Sequence, residues 1–213
     1  MVESWQFYIL FFMLILISYL FFVFERVLFQ MFRTILNLNL SEECFRNNEL
    51  SSSVFGAVMQ AVFIFSISYF SYWFLSVSKI LHTYENWHIY MLCVVFFVLL
   101  YVVKNVFLIA ISLIFPFGQD VSFYRFNLNI LNQVLGVALV PCLFLLTYSY
   151  SGIKVYVVWF IILLIAFMLL MRYYKLFSIA FKHIRFYKFY FFVYFCTSEI
   201  IPNLVLIKIY YSL

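Results

Sequence analysis

Charge is scarce in this chain. Only 10% of its 213 residues are Asp, Glu, Lys or Arg, and 68% are hydrophobic. Soluble domains run at about 25% charged and about 45–50% apolar. A chain this poor in polar groups cannot cover a water-facing surface, which excludes a soluble globule and makes lipid the fitting solvent. Glycine and proline are also scarce, at 4 and 3 residues. A membrane β-barrel needs short alternating strands joined by many turns, and the turn formers for it are missing. The four cysteines, Cys44, Cys93, Cys142 and Cys196, lie far apart. None shows the short paired spacing of a zinc site, so each reads as a small apolar core residue. There is no zincin motif, no Gly-x-Ser-x-Gly elbow, no phosphate-binding glycine loop and no haem-attachment motif. No catalytic residue, metal or cofactor is therefore expected.

What the chain has is long apolar runs. A spanning helix needs about 20 mostly apolar residues, and its backbone groups must be satisfied within the segment. Six segments qualify: Trp5–Phe24, Val54–Val77, Ile89–Phe115, Asn127–Tyr148, Val155–Met171 and Phe189–Tyr210. The first has no basic flank before it and no small-residue cleavage site after it, and so reads as a retained helix. The expected fold is all-α: a polytopic transmembrane helix bundle of about six spans plus amphipathic interfacial helices, one integral membrane domain over residues 1–213.

Orientation follows from lysine and arginine. Loops one, three and five hold Arg26, Arg33, Arg46, Arg125, Arg172, Lys175, Lys182, Arg185 and Lys188. The opposite side holds Lys79, Lys154 and Lys208. The bias puts the odd-numbered loops in the cytoplasm and both termini on the periplasmic side. Two connections carry cationic stripes at helical spacing, Glu25–Leu38 and Arg172–Lys188, and are expected to lie along the headgroup plane. The net charge of +5 thus points to anionic lipid headgroups and not to nucleic acid. The longest polar stretch, Ser41–Ser53, reads as a short loop.

Charges inside spans cost about 2.5–3.5 kcal/mol on insertion scales and are usually paired or functional. Lys104 and Glu199 are the two that stand out, at matching depths in the third and sixth spans, and are natural partners. Asn105 accompanies Lys104 on a stripe with Tyr101 and Ser112. Asn129 and Asn132 lie on a stripe with Arg125, Gln133 and Gly136, and Asn203 lies with Cys196 and Glu199. Facing inward, these would form one intramembrane polar cluster. It serves either as interhelical glue or as a proton or ligand site. Pro141 and Pro202 are expected to kink the fourth and sixth spans, since proline removes a donor and clashes with the carbonyl four residues back. His82, Glu85 and His88 share one helical edge in the second loop, which reads as a wet interfacial segment before it reads as a metal site.

The run Phe195-Cys196-Thr-Ser-Glu199-Ile200-Ile-Pro202-Asn203-Leu204, with Asn132-Gln-Val-Leu-Gly136-Val-Ala-Leu139-Val-Pro141 upstream, resembles an uncharacterised domain-of-unknown-function family of multi-spanning proteins from Bacteroidota. That family carries a Glu-Ile-x-Pro signature in its last span. The resemblance covers the chain from Lys104 onward, with Asn203 standing where an apolar residue is expected. It implies a bacterial inner-membrane protein and no activity.

Three functions compete. A non-enzymatic subunit of a cell-envelope complex would act through contact with other membrane proteins or with copies of itself. A small proton- or ion-coupled transporter would use the polar cluster. An intramembrane enzyme acting on lipid would rest on Cys196 near Glu199 alone.

Overall fold

The computed structural model describes residues 4–36, 38–46, 53–77, 86–114 and 118–183. Among them every regular element is helical: α1 (Ser4–Val23), α2 (Glu25–Leu36), α3 (Leu38–Arg46), α4 (Ser53–Val77), α5 (Asn86–Ile114), α6 (Gly118–Tyr148) and α7 (Ser151–His183). Five are long and apolar enough to cross a membrane, over Ser4–Val23, Phe55–Val77, Trp87–Ala110, Val121–Tyr148 and Gly152–Lys175. They match the first five expected spans. The sixth, Phe189–Tyr210, lies outside the described residues.

The chain divides into two compact units, Met1–Arg172 and Tyr173–Leu213. Of the second, the described part is the C-terminal stretch of α7, where Lys175 is buried.

Three boundaries differ from the sequence expectation, each because helix formation does not stop where hydropathy does. α6 begins at Gly118, ahead of the expected Asn127. Asn127 is buried, but its carboxamide is satisfied on both sides. Its Nδ2 donates to the Phe123 carbonyl at 3.0 Å, and its Oδ1 accepts from Ser41 Oγ at 2.7 Å. α3 occupies the first part of the expected polar loop, because Ser41 and Cys44 turn inward while Glu43 and Arg46 stay exposed. No new helix begins at Arg172, since α7 continues through it to His183. The first amphipathic helix is present as expected. α2 follows a bend at Phe24, across which Phe24 N donates to the Leu20 carbonyl and Leu28 N to the Phe24 carbonyl. It buries Leu28, Met31, Thr34 and Ile35 and exposes Arg26 and Arg33.

α6 is the centre of the first unit. Buried residues make up 67% of its apolar window, against 39% for α4 and 6% for α7. At one end of the unit, Trp5 of α1 packs against Tyr72 of α4 and against Trp87 and Tyr90 of α5, with ring centroids 5.3–5.6 Å apart. At the other end, Phe24 meets Phe55 at 4.9 Å and Phe45 meets Phe123 at 5.4 Å. Arg26, Arg33 and Arg46 belong to this second end, as does Arg125 on α6. Aromatic rings with polar tips suit the membrane–water boundary, so a tryptophan end and an arginine end mark the two edges of the unit.

Candidate functional site

α4 and α6 share the most extensive interface in the unit. They run parallel, because residue numbers rise together along three polar cross-links. Gln133 Nε2 donates to the Gly56 carbonyl at 3.1 Å. Ser66 Oγ donates to the Gly136 carbonyl at 3.4 Å. Tyr69 Oη and Thr147 Oγ1 lie 3.0 Å apart, and Thr147 Oγ1 also donates to its own helix at the Leu143 carbonyl, at 2.9 Å. The helices can come this close because Gly136 has no side chain where it meets the Phe63 backbone.

The seam is polar but uncharged. Its residues are carboxamides and hydroxyls in a wall of Met59, Val62, Val134, Leu139 and Val140, all buried. Two buried carboxamides on these helices are not fully satisfied. Gln60 is 6% exposed, one turn along α4 from Gly56, and neither its Oε1 nor its Nε2 has a hydrogen-bond partner among the described residues. Gln133 is also 6% exposed, and its Oε1 is likewise unpartnered there. A buried amide without partners costs free energy. Membrane interiors raise that penalty because no bulk water is at hand. Polar groups left open inside a helix bundle are where a water, an ion or a polar solute finds its ligands.

Four residues of the expected polar cluster, Lys104, Asn105, Asn129 and Asn132, lie among the described residues, on α5 and α6. α5 shows one packed face, formed by Ile89, Cys93, Leu100, Lys104, Leu108 and Ser112, while Val102, Val103, Val106 and Phe107 point outward. Lys104 and Asn105 are both half-buried on the packed face, and Asn129 and Asn132 of α6 are also half-buried. All four lie in the halves of their helices toward the arginine end or at mid-helix. Glu199, Pro202 and Asn203 lie outside the described residues, as do His82 and Glu85, and His88 is exposed. Pro141 is exposed within an α6 that runs on to Tyr148. Among the described residues, no group of three His, Cys, Asp or Glu side chains comes together as metal ligands.

Sequence reasoning singled out Gln133 and Gly136 on their stripe but missed Gln60 and Ser66. The signal for Gln60 was present: it is the one carboxamide in α4, in the middle of an apolar run and at i+4 from a glycine.

The chain matches the model of one protein family, described as Domain of unknown function (DUF4271), over residues 6–210. The match takes in nearly the whole chain, so the chain belongs to this family. No curated protein and no solved structure matches it.

Proposed function

We propose that this member of the DUF4271 family is a multi-pass protein of a bacterial inner membrane and serves there as a non-enzymatic subunit of a cell-envelope complex. The observation that carries the reading is α7. Within the first unit this helix contributes one fully buried residue, Ile161, while Trp159, Leu163 and Leu170 are each about two thirds exposed (66–67%). Its other side packs Val157, Val158, Leu164, Ile165 and Met168 against the core. The face bearing Trp159, Leu163 and Leu170 is apolar and uncovered, and so is open to a neighbour. Lipid also covers apolar side chains, so the test must tell the two apart. Photo-crosslinking residues placed at Trp159, Leu163 and Leu170 in native membranes are expected to yield a protein adduct of one defined mass. Lipid adducts at all three positions would sink the reading.

Orientation is part of the proposal. Arg26, Arg33, Arg46 and Arg125 gather at the arginine end, and Lys154 lies with the tryptophan end at the start of α7. The positive-inside bias puts the arginine end in the cytoplasm and the N-terminus in the periplasm.

A second reading, a small proton- or ion-coupled transporter, draws on the open carboxamides of Gln60 and Gln133. It would use Lys104, Asn105, Asn129 and Asn132, with Glu199 and Asn203 from the C-terminal segment. Glu199→Gln and Gln60→Leu separate the readings. A transporter loses coupled uptake in proteoliposomes, whereas a contact subunit keeps its partner.

A further inference from the structure

A cleft of about 550 Å³ opens between α2 and α3, beside the bend at Phe24 where the first span ends. Its volume is within the range of about 300–1,000 Å³ usual for small-molecule sites. Arg26 and Arg33 line it from α2, as does Glu25, and Glu43 lines it from α3. All four are exposed. Among the described residues no ion pair joins the two carboxylates to the two guanidiniums, although both signs line one cavity. The floor is neutral and internally tied: Gln30 Nε2 lies 3.3 Å from Cys44 Sγ, and Thr34 Oγ1 donates to the Gln30 carbonyl at 2.7 Å. Phe29, 60% exposed, and Leu40, 38% exposed, form an apolar margin. Arg33 sits over the Phe29 ring at 4.6 Å, which holds that guanidinium at the rim.

We propose that this cleft binds the headgroup of a zwitterionic aminophospholipid, with its phosphate against Arg26 and Arg33 and its primary ammonium against Glu25 and Glu43. Guanidinium is the side chain best matched to phosphate, through paired N–H donors. An ammonium donates three hydrogen bonds to carboxylates. A purely anionic headgroup would satisfy the arginines and leave two carboxylates facing a like charge. A choline headgroup would bring a cation with no N–H to donate. The ethanolamine type fits both halves. Phe29 and Leu40 lie where acyl chains leave a headgroup, at the level where the apolar run of α1 gives way to charge. The proposal is independent of what α7 contacts.

The test uses the full chain in nanodiscs. Native mass spectrometry with equal amounts of dioleoyl phosphatidylethanolamine, phosphatidylcholine and phosphatidylglycerol is expected to show retention of the ethanolamine lipid about tenfold above the other two. That is the discrimination one lost charge-assisted contact supplies. Arg26→Gln with Arg33→Gln should abolish the preference. Glu25→Gln with Glu43→Gln should turn it toward phosphatidylglycerol. These side chains are exposed, so the variants should keep the parent's elution profile, and the unmodified chain alone already reads out the choice of lipid. Equal retention of the three lipids overturns the proposal, as does a preference unchanged by either double variant. Displacement of the lipid by soluble phosphoethanolamine at matched concentration would overturn the membrane assignment and leave a free solute as the ligand.

Discussion

Gly136 of α6 and Phe63 of α4 meet backbone to backbone: a Cβ on Gly136 would lie 2.6 Å from the Phe63 Cα and 2.8 Å from its nitrogen. No rotamer change relieves a clash with main chain. An alanine there must push the two helices apart, and the separation would also lengthen the Ser66–Gly136 hydrogen bond. Small residues at such crossings are what lets membrane helices pack closely.

Gly136→Ala is therefore expected to destabilise the protein by about 1–3 kcal/mol, the usual range for overpacking. For a chain of this size that is a fall of roughly 4–8 °C in the melting midpoint for a 2 kcal/mol loss. Thermal unfolding in detergent, followed by circular dichroism, reads it. Gly152→Ala is the control. Its nearest neighbour is a Tyr150 ring carbon at 3.8 Å, so the midpoint should stay within about 2 °C. Equal midpoints for both variants would mean that α4 and α6 are not in close contact.

Gln60→Met tests the open carboxamide. Methionine keeps the length of the side chain and removes two polar atoms that have no partner among the described residues. Relief of the unsatisfied groups should raise stability by about 1–3 kcal/mol. Gln133→Met is expected to differ, since it also removes the donor to the Gly56 carbonyl. A Gln60→Met variant less stable than the parent would show that the amide has a ligand in the membrane, and would favour transport over contact.

Hydropathy made the outer spans legible. α1, expected at Trp5–Phe24, occupies Ser4–Val23, and α4, expected at Val54–Val77, occupies Ser53–Val77. α5 was legible as a span. Its run of apolar residues marked a span, and Tyr101, Lys104, Asn105 and Ser112, the residues of the expected polar stripe, are each half-buried. The central helix was harder to read. α6 is packed by other helices on most sides, so its Asn127 and Ser122 need not be apolar, and a hydropathy window misses its first turns. Gly136 drew attention on its polar stripe ahead of Pro141, but its role is the approach to Phe63. That approach depends on which residue of α4 stands opposite, and one helix alone does not hold this information. The cleft between α2 and α3 was invisible for the same reason, because Glu43 belongs to what reads as a loop.

Orientation yields to labelling. In a background with the four cysteines replaced by serine, Arg46→Cys and Ser149→Cys place single thiols on α3 and between α6 and α7. A membrane-impermeant maleimide applied to intact spheroplasts should label position 149 and spare position 46 until the membrane is opened. The reverse pattern would invert the arginine end and remove the cytoplasmic assignment of the odd loops.

Lys104 is the one lysine of α5. A lysine on the packed face of α5, 10 residues before the end of the helix at Ile114, lies roughly 15 Å from that end at about 1.5 Å per residue. Charges at such a depth are kept where they meet an opposite charge or line a polar space. Sequence alone pairs it with Glu199, and exchanging the two charges tests that expectation. Lys104→Glu alone would set two carboxylates against each other, and Glu199→Lys alone two ammoniums. Each is expected to cut the folded yield in detergent extracts severalfold, since losing one member of a buried pair costs about 3–5 kcal/mol. The exchanged pair, Lys104→Glu with Glu199→Lys, should recover most of that yield, because attraction is restored with the charges reversed. Additive losses in the double variant would show that the two residues do not meet.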